Sequence, residues 1–144
     1  MVGTIETEGK KDVLKFSIPN KPEYVSVIRL TTSAIASRIG FNIDEIDDIK
    51  VSIGEACTNI IKHGLEGKEE NFDIEYVVST DRLDIILRDN GKGFDTSIIE
   101  EPGSEELRES GLGIFIIKSL MDEVEINSSE GRGTEIKMSK VKNS

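Results

Sequence analysis

The stretch GEACTNIIKHG, residues 54–64, places Glu55, Asn59 and His63 at steps of four. Apolar residues recur around it at steps of three and four: Ile46, Ile49, Ile53, Cys57 and Ile60. That period predicts one amphipathic helix with its core face on the isoleucines. At roughly 100° per residue, Glu55 falls nearly opposite this stripe, with Asn59 and then His63 about 40° further round at each step. A charged residue opposite an apolar stripe is ordinarily just solvated. Asn59 and the β-branched Thr58, however, are poor helix formers, so their presence in mid-helix asks for a compensating role.

The helix has legible ends. Asn42 stands three residues before Glu45, the arrangement in which side chain and backbone cap each other, and Gly64 supplies the stop. Upstream, Asn20 and Pro22 open another helix, with Val25, Ile28, Ile35 and Ile39 on one face and Gly40 ending it. Alternation over DVLKFSIP (12–19), FDIEYVVS (72–79) and RLDIILRD (82–89) predicts strands. Thr80 and Asp81 make a tight hairpin of the last two. GLGIFIIKSLMDEV (111–124) reads as a helix, and EVEINSS with GTEIKMSK as a closing hairpin around Glu130–Arg132. The expectation is one α+β domain over residues 1–144, a two-layer sandwich with a mixed, mostly antiparallel sheet and helices on one face. Residues 1–10 are polar and expected to be flexible. Residues 94–110, irregular and acidic between glycine-rich flanks, are expected to form a lid.

Composition bounds the function. Eighteen basic against 28 acidic residues give a net charge of −10, without the basic excess of a duplex or membrane-surface binder. The single cysteine forms no internal disulfide, the first residues have no apolar signal region, and IFII at 114–117 is too short to span a bilayer. A cytoplasmic location is expected, with no direct nucleic-acid or membrane partner. One His and one Cys do not make a zinc site.

Three further stretches bear on chemistry. In RDNGKGFD (88–95), Asp89 ends a strand, where sheets place ligand-binding groups, and Gly91 and Gly93 allow close backbone approach; the plain alternative is a turn. In ESGLGIFIIKSL, Gly111 and Gly113 are expected to open a helix whose free N–H groups could cradle phosphate oxygens, or to serve as a flexible entrance only. No Walker loop and no dinucleotide fingerprint is present. In EGRGTEI, Thr134 starts the last strand beside what could be a simple hairpin turn.

Taken in order, Glu-x-x-x-Asn on a helix, Asp-x-Gly-x-Gly after a strand, Gly-x-Gly before a helix and Gly-Thr at a final strand resemble the Bergerat ATP-binding fold, shared by DNA gyrase and histidine kinases. EACTNIIKHG, RDNGKGFD and SGLGIFIIKSLMDEVEINSSEGRGTEI are similar, within that fold, to the bacterial anti-sigma-factor serine kinases over about residues 12–140. The resemblance implies ATP or ADP as nucleotide and Mg²⁺ held by Asn59, with Glu55 as the general base for a serine hydroxyl. It implies that Asp89 accepts from the adenine amino group with support from Thr134, and that Gly91, Gly93, Gly111 and Gly113 frame the nucleotide. Arg108 is the basic residue assigned to the acidic lid, and His63 is assigned to helix-end packing. The implied partners are a serine-bearing antagonist protein as substrate, a sigma factor, and a second copy in a homodimer. Two alternatives stay open: a switch that binds nucleotide without transferring phosphate, and the catalytic half of a histidine kinase. Against the latter, no dimerising helical hairpin bearing a phosphorylatable histidine is seen.

Overall fold

The computed structural model describes residues 11–64, 70–89, 105–129 and 133–143, with backbone alone at 63–64, 105–110 and 129. Strand β1 (Asp12–Pro19) leads through a single 3-10 turn at Pro22–Tyr24 into helix α1 (Val25–Ile39). Helix α2 (Ile43–Asn59) continues into a wide turn at Ile60–Gly64, followed by the hairpin of β2 (Asn71–Val78) and β3 (Arg82–Asp89). Helix α3 (Glu105–Leu120) precedes the second hairpin, β4 (Glu123–Ser129) and β5 (Gly133–Val141).

The expected chain punctuation is present. Gly40 adopts φ 101°, the left-handed conformation that a residue without Cβ enters without strain, and its N–H closes on the carbonyls of Ala36 and Ser37. At the head of α2, Glu45 N–H donates to Asn42 Oδ1 over 2.8 Å, while Asn42 N–H donates to Glu45 Oε1 over 2.9 Å. On α1 the expected face is the one that packs: Ile28 is buried, Val25, Ile35 and Ile39 are partly buried against the core, and Thr32 and Ala36, on the same side, are buried with them. The polar Thr32 is accommodated because its hydroxyl donates to Ile28 O and meets Tyr76 Oη, each over 2.7 Å.

The sheet order is β1-β2-β3-β5-β4, and all four pairings are antiparallel. Period-2 alternation sends one set of residues toward the helices: Ile18 on β1; Phe72, Ile74 and Tyr76 on β2; Leu83, Ile85 and Leu87 on β3; Ile136 and Met138 on β5. These pack with Ile49, Ile53 and Cys57 of α2, Ile60 of the turn that follows it, and Ile117 of α3 into one core. The other face is polar, where Arg82 bridges Asp84 and Glu123 at 3.0 and 2.7 Å. Helices on one face of the sheet thus follow from strand alternation and helix periodicity together. Among the described residues, no helix is long and apolar enough to cross a membrane.

One expectation is overturned. Gly111 and Gly113 do not open a helix; α3 begins at Glu105, and both glycines lie inside it. The stretch EELRES (105–110) consists largely of good helix formers, and it extends the helix through residues expected to be lid. The rest of the expected lid, 94–104, lies outside the described residues, as do 1–10.

Candidate functional site

Two groups of expected site residues come together at separate places on the helix-facing side of the sheet. The first is built by strand register. Asp89, the last residue of β3, is the direct cross-strand partner of Thr134, which in turn faces Ser128 on β4. Asp89 is 5% exposed and Thr134 3%. The Thr134 and Ser128 hydroxyls share a hydrogen bond of 2.8 Å, and the Ser128 hydroxyl also approaches the Gly133 carbonyl at 3.4 Å. Carboxylate and hydroxyl are therefore held side by side in a sheltered place, suited to a ligand edge that presents hydrogen-bond donors.

The second group is built by helix packing. Glu55 and Asn59 stand one turn apart on α2, and α3 crosses over them at Gly113. A methyl carbon placed on Gly113 would stand 2.7 Å from Glu55 Oε2 and 3.8 Å from Asn59 Nδ2. Only a residue without a side chain allows this approach. Glu55 is half-buried, while Asn59 is buried, and its Nδ2 has no hydrogen-bond partner among the described residues. Together with Thr58, Lys62, Leu112, Gly113 and Ile116, these two residues line a cavity of about 230 Å³.

Lys62, Thr58 and Ser128 were missed from the sequence. For Lys62 a signal existed: it lies three residues beyond Asn59 and seven beyond Glu55, on the same side of the helix. It places a basic group in the cavity wall; the side chain of Arg108, the basic residue expected in the lid, lies outside the described residues. Gly91 and Gly93 also lie outside them, as does the His63 side chain. The phosphate cradle expected at Gly111 and Gly113 is corrected here: their N–H groups fall within a helix and not at its open end.

The donor set fits a hydrated divalent cation carried by phosphates. An asparagine amide turns about its last torsion to present oxygen, a hard ligand, and here one end of that amide is buried without a partner. Among the described residues no cluster of three or more His, Cys, Asp or Glu could hold a metal unaided. Phosphate oxygens and water would have to complete the coordination, as Mg²⁺ prefers. Beneath the site, Cys57 is completely buried, and burial pushes its thiol up to about 12. This makes it an inert core side chain.

The chain is similar to known proteins over most of its length. Residues 18–140 match the histidine kinase-like ATPase domain. The serine-protein kinase RsbW of Bacillus pumilus is 40% identical over 131 residues, covering 83% of this chain and 81% of that protein. The serine-protein kinase RsbW of Bacillus subtilis is 39% identical over 129 residues, with the same coverage of 83% and 81%. In structure, the chain is similar to the RsbU and RsbW domains of a Mycobacterium tuberculosis protein, with a TM-score of 0.68 at 15% identity over 91% of this chain and 32% of that one. It is also similar to a chain of the SiaB–SiaC complex from Pseudomonas aeruginosa, with a TM-score of 0.65 at 16% identity over 96% and 95% of the two chains. At these identities the structural likenesses speak for the fold.

Proposed function

The chain belongs to the histidine kinase-like ATPases and, among them, to the serine-protein kinases RsbW, and from that premise we propose how its own residues carry out phosphoryl transfer to a serine hydroxyl. The observation that carries the proposal is the pairing of a half-buried carboxylate with a buried amide whose Nδ2 has no partner among the described residues, one helical turn apart in the wall of one cavity.

Asp89 accepts a hydrogen bond from the adenine amino group, and Thr134 holds the adjoining position with its hydroxyl oriented by Ser128. Asn59 would hold Mg²⁺ through its amide oxygen, and Lys62 places positive charge at the same wall. When bound, Mg²⁺ would neutralise charge on the phosphates. Glu55 accepts the proton of the attacking serine hydroxyl, which is a weak nucleophile until that proton leaves. A protein that only stored nucleotide would have no use for a base beside the metal amide.

The proposed partners are a small serine-bearing antagonist as phosphoryl acceptor, a sigma factor as the captured protein, and a second copy of this chain. Strand β1 supports the homodimer, since it carries exposed Val13, Leu14 and Phe16 and, among the described residues, pairs with another strand on one side only. The decisive experiment incubates the protein with ATP, Mg²⁺ and small serine-bearing proteins encoded near it, then reads intact mass. An acceptor should gain one phosphoryl mass only when Mg²⁺ is present. Absence of any heat with ATP or ADP in calorimetry, Mg²⁺ included, would sink the reading at its base.

A further inference from the structure

Lys140 points from β5 into the helix layer, on the side of the strand that carries Ile136 and Met138, and is only 9% exposed. Lysine is seldom buried this far unless its charge is paired. Its Nζ donates to the carbonyl of Leu120, the last residue of α3, over 2.5 Å and to Asp48 Oδ2 on α2 over 3.5 Å. One cation therefore meets a carbonyl at the negative end of one helix and a carboxylate on its neighbour. Asp48 stands two turns before Glu55, and Leu120 two turns after Gly113. The helices thus run antiparallel, with the lysine clasp at one end of their contact and the approach of Gly113 to Glu55 at the other.

The seam between these two contacts is sparse. Ser52, on the same side of α2 as Asp48 and Glu55, is fully buried there. Neither Ser52 nor Gly113 is large enough to interlock with a facing helix. Helix α2 is held separately, since its capping Glu45 also accepts from the Asn143 N–H over 2.9 Å. Just beyond α3, Asp122 N–H donates to the Ser139 carbonyl over 2.9 Å, which tethers the exit of the helix without fixing its tilt. Ile117 anchors α3 in the core between clasp and crossing, and about that point the helix can rock. Gly113 lies about 6 Å along the helix from Ile117, so a rock of about 10° carries it about 1 Å from its place against Glu55.

We propose that Lys140 is a positioning residue for phosphoryl transfer: by holding the end of α3 to α2, it sets where Gly113 meets Glu55. The inference rests on the serine-kinase reading above. Lys140 lines no wall of the cavity and acts through α3 alone. Its effect falls on rate, because Asp89 and Thr134 are placed by the strand ladder and do not depend on the tilt of a helix.

The test replaces Lys140 by Met, which removes the donor while keeping a long stem, and by Arg, which keeps donors. Spin labels at Val51→Cys and Phe115→Cys, exposed positions on α2 and α3, report the helix pair without any need for activity, and the buried Cys57 stays unlabelled. In Lys140→Met the distance between labels should shift or broaden. For the acceptor that gains phosphoryl mass in the assay above, kcat should fall about tenfold, within what a misplacement of about 1 Å produces. Calorimetric ATP affinity should hold, and Lys140→Arg should restore both distance and kcat. A lower melting temperature with distance and kcat unchanged makes Lys140 merely structural and overturns the proposal. A change in only one of distance and kcat overturns it as well. If Lys140→Met does not fold, Asp48→Ala, which removes the α2 half of the clasp, must show both changes in weaker form, or the proposal falls. Failure of the parent to transfer phosphate to any acceptor overturns the kinase reading and with it the effect on rate; the label distances still decide whether Lys140 holds α3.

Discussion

The two ends of the site are held by different means. Asp89 and Thr134 face each other because β3 and β5 are hydrogen-bonded neighbours inside the sheet, so their separation is set by the backbone ladder. Glu55 and Asn59 are set by the packing of one helix on another, at a crossing where Gly113 leaves just enough room for a carboxylate. A ladder holds geometry without depending on side chains; a helix crossing holds it only as well as the side chains fit. The sheet end is accordingly suited to affinity and the helix end to chemistry, and substitutions at the two should be felt as binding and as rate.

The largest expected effect separates them directly. Glu55→Gln should lower phosphoryl transfer by roughly 10²–10⁴, the usual contribution of a positioned base, while calorimetric ATP affinity stays nearly intact. Equal loss of binding and transfer would make Glu55 structural and erase the distinction between the ends.

Alkaline pH tests the layer beneath both ends. Burial pushes the Cys57 thiol from its ordinary 9.0 up to about 12. Tyr76 rises from 10.0 to about 12, mainly through burial, with the Thr32 hydrogen bond acting the other way. Both groups are neutral in the fold and ionise more readily in the unfolded chain. Their stabilisation is complete below pH 9.0 and is lost as pH climbs toward about 12. Urea midpoints should therefore fall across this window, by more than in Cys57→Ala measured against its own neutral-pH midpoint.

Gly113→Ala sharpens the comparison at the crossing. The atom in the way is the far end of a flexible side chain, so the carboxylate should swing aside and the fold survive, with alanine favoured by up to about 1 kcal/mol in a helix interior. Displacing the base should nonetheless lower transfer by about ten- to a hundredfold. A thermal melt alongside a transfer assay checks both halves, and unchanged transfer would mean that the crossing does not set the base.

Asp89→Asn should act in the opposite sense, weakening ATP binding by about five- to 150-fold, equivalent to about 1–3 kcal/mol for a buried group whose partner is lost. Transfer at saturating ATP should be much less affected. An unaltered dissociation constant would reduce Asp89 to a residue that merely ends its strand.

The smallest change is expected from Ser128→Ala, which frees the Thr134 hydroxyl to rotate. The loss of about 0.5–1.5 kcal/mol in nucleotide affinity should be partly recovered by Ser128→Thr.

Much of this was already readable in the chain. The reciprocal cap of Asn42 and Glu45, the stop at Gly40, the hairpins and the spacing of Glu55 from Asn59 are local, since each depends on residues within about one turn of helix or one strand pair. Asp89 at a strand end and Thr134 at a strand start were legible one by one. That they are partners was not, because α3 and β4 lie between them along the chain and the pairing of β3 with β5 is long-range. The glycines of α3 misled for another reason. Gly-x-Gly reads as a helix entrance when judged alone, but the helix formers before it carry α3 back to Glu105.

What the sequence determined by itself is the inventory and its local order: which residues can cap, bend, accept a proton or bind a cation, and which of them share a helical side. Tertiary structure decided what those sides face. Glu55 and Asn59 lie opposite the isoleucine stripe, a position that periodicity assigns to solvent. Only the arrival of α3 at Gly113 converts it into the wall of a cavity and buries the Asn59 amide. The physical reason is that periodicity records which side of a helix avoids water in general, whereas burial of a polar side depends on a second element brought over it by contacts distant in sequence.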